Sequence, residues 1–357
     1  MLQEKTQKTQ ESQQNQSFNP AGGGAPSGSE GQIRDYARRL GLDLRSFNEC
    51  VARGAAMPDP TDLFMGLWYE GELTALYADT NVGKSILAVQ MANEVAKKGF
   101  KVLYVDLELS DKGVEKRSRR DDGSIFRFSE NFYRMTVNFS QIMESAESVD
   151  DEGIGMLDRI EMVMRAHDTR VLIIDNLTAL CSTLETGESA VRLVNRLLRI
   201  RDDNRASVLF LAHTPKLDKS LPITRDSMAG SKRLISLIDS AFAIGECVRS
   251  PQLRYIKQTK VRLDECRYHE NNVLVCRIER VDGLLNFVAV GNAREADLLR
   301  GGADRKSKKA QEAEAVATLA AGGLSERQIA AQMGLSRNRV HYLMECCRTD
   351  SAEGGES

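Results

Sequence analysis

The chain has 357 residues, 41% of them hydrophobic, with 49 basic against 51 acidic side chains and a formal net charge of −2. That length holds one large α/β domain and a small module, and the near balance of charge excludes a uniformly basic nucleic-acid binder, so any basic surface has to be local. The seven cysteines are odd in number and lack Cys-x-x-Cys spacing, no apolar run approaches a membrane span, and the first residues lack a signal-peptide core; the expectation is a soluble, cytoplasmic protein with reduced thiols and no membrane.

Residues 1–31 are mostly Gln, Ser, Gly and Asn, a composition that cannot offset its ordering entropy, and are expected to be a disordered tail. Over 32–63 the apolar positions Ile33, Tyr36, Leu40, Leu44, Phe47 and Val51 predict a short helical lead-in. Trp68-Tyr69 either stacks on a base or packs at a sheet edge, and packing is the commoner use of such a pair. From 64 to 292 strands and helices alternate. Leu73–Ala78, Lys101–Leu107, Tyr133–Val137, Arg170–Asp175 and Ser207–Ala212 read as strands, and the helices between carry Leu157, Ile160 and Val163, then Val191, Val194, Leu197 and Leu198. Near-continuous apolar strands of this kind predict a mostly parallel sheet covered on both faces. After Asp239 the strands crowd together (Ala241–Gly245, Leu253–Val261, Val273–Glu279, Leu284–Val290), with Asp282-Gly283 as a hairpin turn, which predicts an antiparallel extension. Residues 293–307 read as a linker, 308–348 as a helical module, and 349–357 as a second disordered tail.

The helical module has the layout of a helix-turn-helix. Ala330 is small where helices cross, Gly334 makes the turn, Ser336 caps the second helix, and Ile329, Met333, Leu335, Val340 and Leu343 face inward. Arg337, Asn338, Arg339 and His341 are then left near the start of the second helix as candidates for reading duplex DNA. The same geometry also serves protein contacts.

The chemistry gathers around Leu73-Thr-Ala-Leu-Tyr-Ala-Asp-Thr-Asn-Val-Gly-Lys-Ser-Ile-Leu87. A strand, a tight loop and a helix opening on Gly-Lys-Ser form a phosphate cradle. The backbone of Asp79, Thr80, Asn81, Val82, Gly83, Lys84, Ser85 and Ile86 surrounds the phosphates, the Lys84 ammonium reaches across them, and the Ser85 hydroxyl takes a Mg²⁺ position. Ala78 stands where such loops usually start with glycine, and it fits only with φ below zero. Asp175, at the C-terminal end of a buried strand, is the second Mg²⁺ candidate. Because Asn176 rather than an acid follows it, the base that aims the attacking water has to come from elsewhere. Glu108, at the end of the second strand, is the candidate, with Asp106 its rival. His213, ending the strand beside Asp175, is a candidate γ-phosphate sensor, although a lone histidine is more often structural. Lys260 and Arg262 lie too far along the fold to serve their own site easily; they are either fingers for a neighbouring subunit or a solvated strand face. No guanine-reading Asn-Lys-x-Asp occurs, so ATP is expected rather than GTP.

In order along the chain, Ala-Asp-Thr-Asn-Val-Gly-Lys-Ser, Tyr-Val-Asp-Leu-Glu-Leu-Ser, Leu-Ile-Ile-Asp-Asn, Leu-Ala-His-Thr-Pro-Lys and Lys-Val-Arg resemble the RecA-like hexameric ATPases. The likeness is greatest to RepA-type plasmid replicative helicases and related DnaB-like proteins, including RepA-like ATPases carried on bacterial mobile elements. It spans about residues 64–292. It implies an α/β RecA-like P-loop core, Lys84 and Ser85 on phosphate and Mg²⁺, Glu108 as catalytic glutamate, Asp175 on Mg²⁺, His213 as sensor, and Lys260 and Arg262 acting in trans within a hexamer. In similar ATPases the loop bearing Lys216, Lys219 and Arg225, and that near Cys181–Glu188, line a central channel and touch single-stranded DNA, which needs cations but no base reading. Two functions from different classes follow. One is a ring-forming, DNA-dependent ATPase or helicase; the other is a DNA-binding regulator or assembly platform switched by ATP without unwinding.

Overall fold

The computed structural model describes residues 29–138, 152–180, 187–214, 218–228, 232–248, 250–299 and 302–344. The expected disordered tails therefore lie almost wholly outside the described residues. So do Lys216 and most of the Cys181–Glu188 loop.

Residues up to Asp59 form one compact unit and those from Pro60 onward another. The first holds α1 (Glu30–Arg39) and α2 (Phe47–Ala55), each opened by a serine with its capping box, Ser29 with Gln32 and Ser46 with Glu49. Arg34 joins the two helices through Glu49 at 2.8 Å, and that guanidinium draws the Glu49 carboxyl down to about 2. Neither helix has a buried residue, and Phe47 is 85% exposed.

In the second unit, β1 (Asp62–Phe64) and β2 (Trp68–Tyr69) make a two-stranded ribbon. Trp68 is fully buried there, so it packs and is not available to stack on a base. A nine-stranded sheet follows in the order β11-β10-β9-β8-β3-β7-β6-β4-β5. Its parallel half is β3 (Leu73–Ala78), β4 (Val102–Asp106), β5 (Phe132–Thr136), β6 (Val171–Asp175), β7 (Ser207–His213) and β8 (Ser240–Glu246). Alternate residues of these strands enter opposite cores, as the strand period of two dictates. Leu73, Ala75, Tyr77, Leu172 and Ile174 share a core with α5 (Glu152–Ala166), α6 (Gly187–Asn204) and α7 (Lys232–Leu237), whereas Leu76, Ala78, Tyr104 and Ile173 meet α3 (Lys84–Lys97). The antiparallel half is β9 (Leu253–Lys260), β10 (Val273–Val281) and β11 (Leu284–Ala293). Asp282 and Gly283 turn the last hairpin with φ of +52° and +91°, the left-handed pair that a two-residue turn requires. This α/β sheet with its antiparallel extension agrees with the RecA-like P-loop core that the motif order implied.

The stretch 293–307, which reads as a linker from its glycines and basic residues, carries regular structure over its described residues. It holds the end of β11, a short helix α8 (Glu295–Leu298) and the start of α9 (Gly302–Ala321). Ala303, Arg305 and Lys306 are good helix formers, which suits a helix that begins at Gly302. Glu295, 1% exposed, ties α8 down: it accepts from Lys257 Nζ at 2.5 Å, Ile223 N at 2.8 Å and Tyr255 Oη at 3.1 Å.

The C-terminal module is α9, α10 (Glu326–Met333) and a helix over 337–344, α11, packed around Val316, Ile329, Val340 and Leu343. Gly334 stands at φ +64° after α10, and Ser336 Oγ accepts the Arg339 N–H at the start of α11. None of the described helices is long and apolar enough to cross a membrane.

Glu295→Ala should destabilise the fold by about 3–5 kcal/mol, because it strands the buried Lys257 ammonium and two donors; urea unfolding of the full chain measures this.

Candidate nucleotide-binding site

Parallel strands end on one edge, and their register places the motifs. Ala78 pairs with His213 and Asp106 with Asp175, so the segments leaving β3, β4, β6 and β7 emerge side by side. They line a cleft of about 220 Å³ with Thr80, Asn81, Gly83, Lys84, Ser85 and Ile86 on one side and Glu108, Asp175 and His213 on the other. Candidates from four separate motifs thus share one cleft.

Ala78 is the last residue of β3 and keeps a strand conformation, so the missing glycine costs nothing there. The left-handed conformations fall at Asn81 (φ +62°) and Gly83 (φ +112°) instead. Gly83 precedes α3, which no side chain caps, so its first-turn N–H groups face the cleft ready for an anion. Gly83 has a second duty that the sequence did not disclose. A Cβ there would lie 2.9 Å from the Phe287 ring and 3.1 Å from Ile278, because the β10–β11 hairpin folds against the loop. Arg254 on β9 also donates to the Val82 carbonyl at 3.1 Å, and Gln90 on α3 pairs with the Phe287 backbone.

Lys84 Nζ donates to the carbonyls of Ala78 and Asp79, both at 2.9 Å, and lies 3.3 Å from His213 Nδ1. Burial lowers its pKa, opposed by Asp175 and Glu108. Ser85 bonds to the Asp175 carboxylate, which also accepts from Tyr104 Oη at 2.6 Å. Burial raises the pKa of Asp175, and those hydrogen bonds pull the other way. Ser85 and Asp175 make an oxygen-only pair beside the phosphate position, which suits Mg²⁺, an ion commonly held by one or two protein oxygens together with substrate phosphates.

Glu108 stands on a braced turn. Asp106, buried at the end of β4, accepts the N–H groups of Glu108 (3.1 Å) and Leu109 (2.9 Å) on one oxygen and Arg134 Nε (2.8 Å) on the other. Arg134 also holds Asp111 at 2.6 Å and the Leu109 carbonyl. Asp106 is therefore occupied in shaping the turn, and Glu108 alone of the two lines the cleft. His213 Nε2 is 3.9 Å from Glu108, but burial and the Lys84 ammonium push its pKa down, so at neutral pH this contact is not an ion pair.

Two cleft residues escaped the sequence reading. Arg117, on α4 (Asp111–Ser118), adds a cation from a stretch without periodicity. Asn176 was noticed only as a missing acid. Its one available signal was being polar at the end of a buried strand.

The remaining candidates are elsewhere. Lys260 pairs with Ala241, beside Ala75, about 10 Å of strand short of the Ala78 edge. Lys260 Nζ donates to the carbonyls of Ile235 (2.6 Å) and Ser236 (3.1 Å), and Arg262 pairs with Asp239 at 2.9 Å. Neither lines the cleft of its own chain. Arg225 donates to the Thr259 carbonyl at 2.7 Å, and burial first, then the Arg262 and Arg225 guanidinium groups, lower the Lys260 pKa, so Arg225 is part of this basic group. Lys219 pairs with Glu246. In the C-terminal module, Arg339 turns back to Glu312 at 3.0 Å, while Arg337 (3.4 Å) and His341 (2.8 Å) both reach Glu326; Asn338 is exposed. Acidic residues on α9 and α10 engage three of these four.

Residues 42–219 match the family model described as an AAA domain. No curated protein matches. Among solved structures the chain is similar to the flagellar accessory protein FlaH of Methanocaldococcus jannaschii, with 17% identity over 61% of this chain and 89% of that one and a TM-score of 0.43.

Gly83→Ala forces a side chain into a left-handed position at about 1–2 kcal/mol and drives it against Phe287. Nucleotide affinity, followed by fluorescence of a labelled ATP analogue, should fall by about tenfold or more.

Proposed function

We propose that this P-loop NTPase hydrolyses ATP with Glu108 as the general base that aims the attacking water. The reading is carried by one observation: Lys84, Ser85, Glu108, Asp175 and His213, drawn from four strand ends, line a single cleft. Lys84 and the first turn of α3 would hold the phosphates, and His213 would report the γ-phosphate. Mg²⁺ held by Ser85 and Asp175 would neutralise charge on the β- and γ-oxygens. The occupation of Asp106 by Arg134 and by two backbone N–H groups supports Glu108 over its rival.

We further propose that the working unit is a ring, a hexamer in the RepA-like manner, whose ATPase depends on DNA and serves the replication or mobilisation of a mobile element, with helicase action its sharpest form. Lys260, Arg262 and Arg225 sit together away from their own cleft, which fits cations offered to a neighbour. Single-stranded DNA would pass along the loop of Lys216, Lys219 and Arg225, and duplex DNA would meet Arg337, Asn338, Arg339 and His341. A specific observation favours the second reading, an ATP-switched DNA-binding regulator: Lys219 and Arg225 are held within the chain, which weakens the case for a channel. A strand-displacement assay with ATP separates the two. Displacement supports the motor, whereas duplex binding without displacement supports the regulator.

Glu108→Gln should keep ATP bound and abolish turnover, whereas Lys84→Ala should weaken binding itself; hydrolysis at the normal rate by Glu108→Gln refutes the base assignment. Fingers of this type contribute about 10³–10⁵ in rate in other phosphoryl-transfer enzymes. Mixing inactive Arg262→Ala with inactive Lys84→Ala should therefore restore part of the activity, since some interfaces pair an intact cradle with an intact finger. A co-assembled mixture that stays inactive rules out action in trans.

A further inference from the structure

Side chains from four strand ends form a continuous chain across the cleft. Lys84 Nζ lies 3.3 Å from His213 Nδ1, His213 Nε2 lies 3.1 Å from Asn176 Nδ2, and the same Asn176 nitrogen touches Glu108 Oε1. Among the described residues, Asn176 is the one hydrogen-bond partner of the Glu108 carboxylate. That carboxylate is otherwise half exposed on a long side chain with several rotamers open to it.

The orientation of the Asn176 amide is determined by its surroundings. The residue is 3% exposed, and its Oδ1 accepts the Ala179 N–H at 3.0 Å from the 3-10 turn Leu177–Leu180. With the oxygen committed to a donor, the NH₂ group must face Glu108 and His213, and its two hydrogens serve one each. His213 is then caught between two donors. A neutral imidazole has a single acceptor nitrogen, and both the Lys84 ammonium and the Asn176 amide point at the ring. It can satisfy only one. A triphosphate in the cradle would draw Lys84 away from Nδ1, and Nε2 could then accept from Asn176 without competition.

We propose that Asn176 is the positioning residue of Glu108: its amide aims the carboxylate into the cleft and, through His213, does so most firmly when Lys84 is engaged by phosphate. This rests on the reading of Glu108 as the general base. Asn176 touches no reacting atom in this scheme, so its loss should spare nucleotide binding and slow the chemical step.

Asn176→Asp is the informative variant in the full chain. It keeps the size and the acceptor for the Ala179 N–H, and so the turn, but removes both donors. Asn176→Ala removes them without adding charge. Both should lower kcat by about 10–100-fold, the order expected for a group misplaced by an ångström. The affinity for a fluorescent ATP analogue at saturating Mg²⁺ should stay near that of the unmodified chain, whereas the thermal midpoint falls in Asn176→Ala, which leaves the Ala179 N–H without its acceptor. In a Glu108→Gln background, Asn176→Asp should change the residual rate no further, because the two act as one unit. Normal kcat in both Asn176 variants beside an inactive Glu108→Gln overturns this proposal alone. Losses that add in the double variant, or a kcat loss matched by lost affinity, overturn it too. Full turnover by Glu108→Gln overturns the base assignment and this proposal with it.

Discussion

The level edge of the parallel sheet is the constraint on which the site depends. Every parallel strand delivers its outgoing chain on the same side, so residues separated by more than a hundred positions become neighbours without any long-range design beyond register. Pairing Ala78 with His213 and Asp106 with Asp175 suffices to set a lysine, a serine, two acids and an imidazole around one cleft. A slip of one residue in β4 or β6 would move its functional end out of line. It would also turn every buried side chain of that strand to the other core, so the same hydrophobic pattern that holds the sheet together protects the site.

The antiparallel half of the sheet is more than a continuation. Its β10–β11 hairpin returns to press Phe287 and Ile278 on Gly83, and β9 sends Arg254 to the loop carbonyl of Val82. The phosphate loop is thus braced from outside as well as by its own glycine. The far side of this half is anchored by the Glu295–Lys257 pair, which also fixes the Ile223 backbone. The segment that follows β7 is therefore tied to the strands carrying Lys260, and Tyr77, one residue before Ala78, bonds to the Thr224 carbonyl at 2.9 Å.

Acid–base pairing inside the chain qualifies several cationic candidates. Lys219 with Glu246, Arg262 with Asp239 and Arg339 with Glu312 are all compensated by a carboxylate. Exposed pairs of this kind are individually weak, so a phosphate backbone or a neighbouring subunit can compete for them. In the cleft the contrast is sharp. There the charges are buried or half-buried, the dielectric is low, and the pKa shifts of Lys84, Asp175 and His213 follow from burial first.

Legible in the amino-acid order alone are the strands of the core, the turn at Asp282-Gly283, the candidate cradle from Asp79 to Ile86 and the candidate acids Glu108 and Asp175. Each of these is local: a run of apolar residues, a residue type that tolerates positive φ, or a polar group at the end of a buried strand. The stretch 293–307 reads as a linker from its charge and glycine, whereas helix propensity and a buried glutamate give it regular structure. The fold alone settles which of Asp106 and Glu108 lines the cleft, since that depends on Arg134 arriving from another strand. It alone also showed that Gly83 is pressed by Phe287 and that Asn176 joins Glu108 to His213. Those contacts join residues far apart in the chain, and no local pattern of side chains encodes a partner that folding alone brings near.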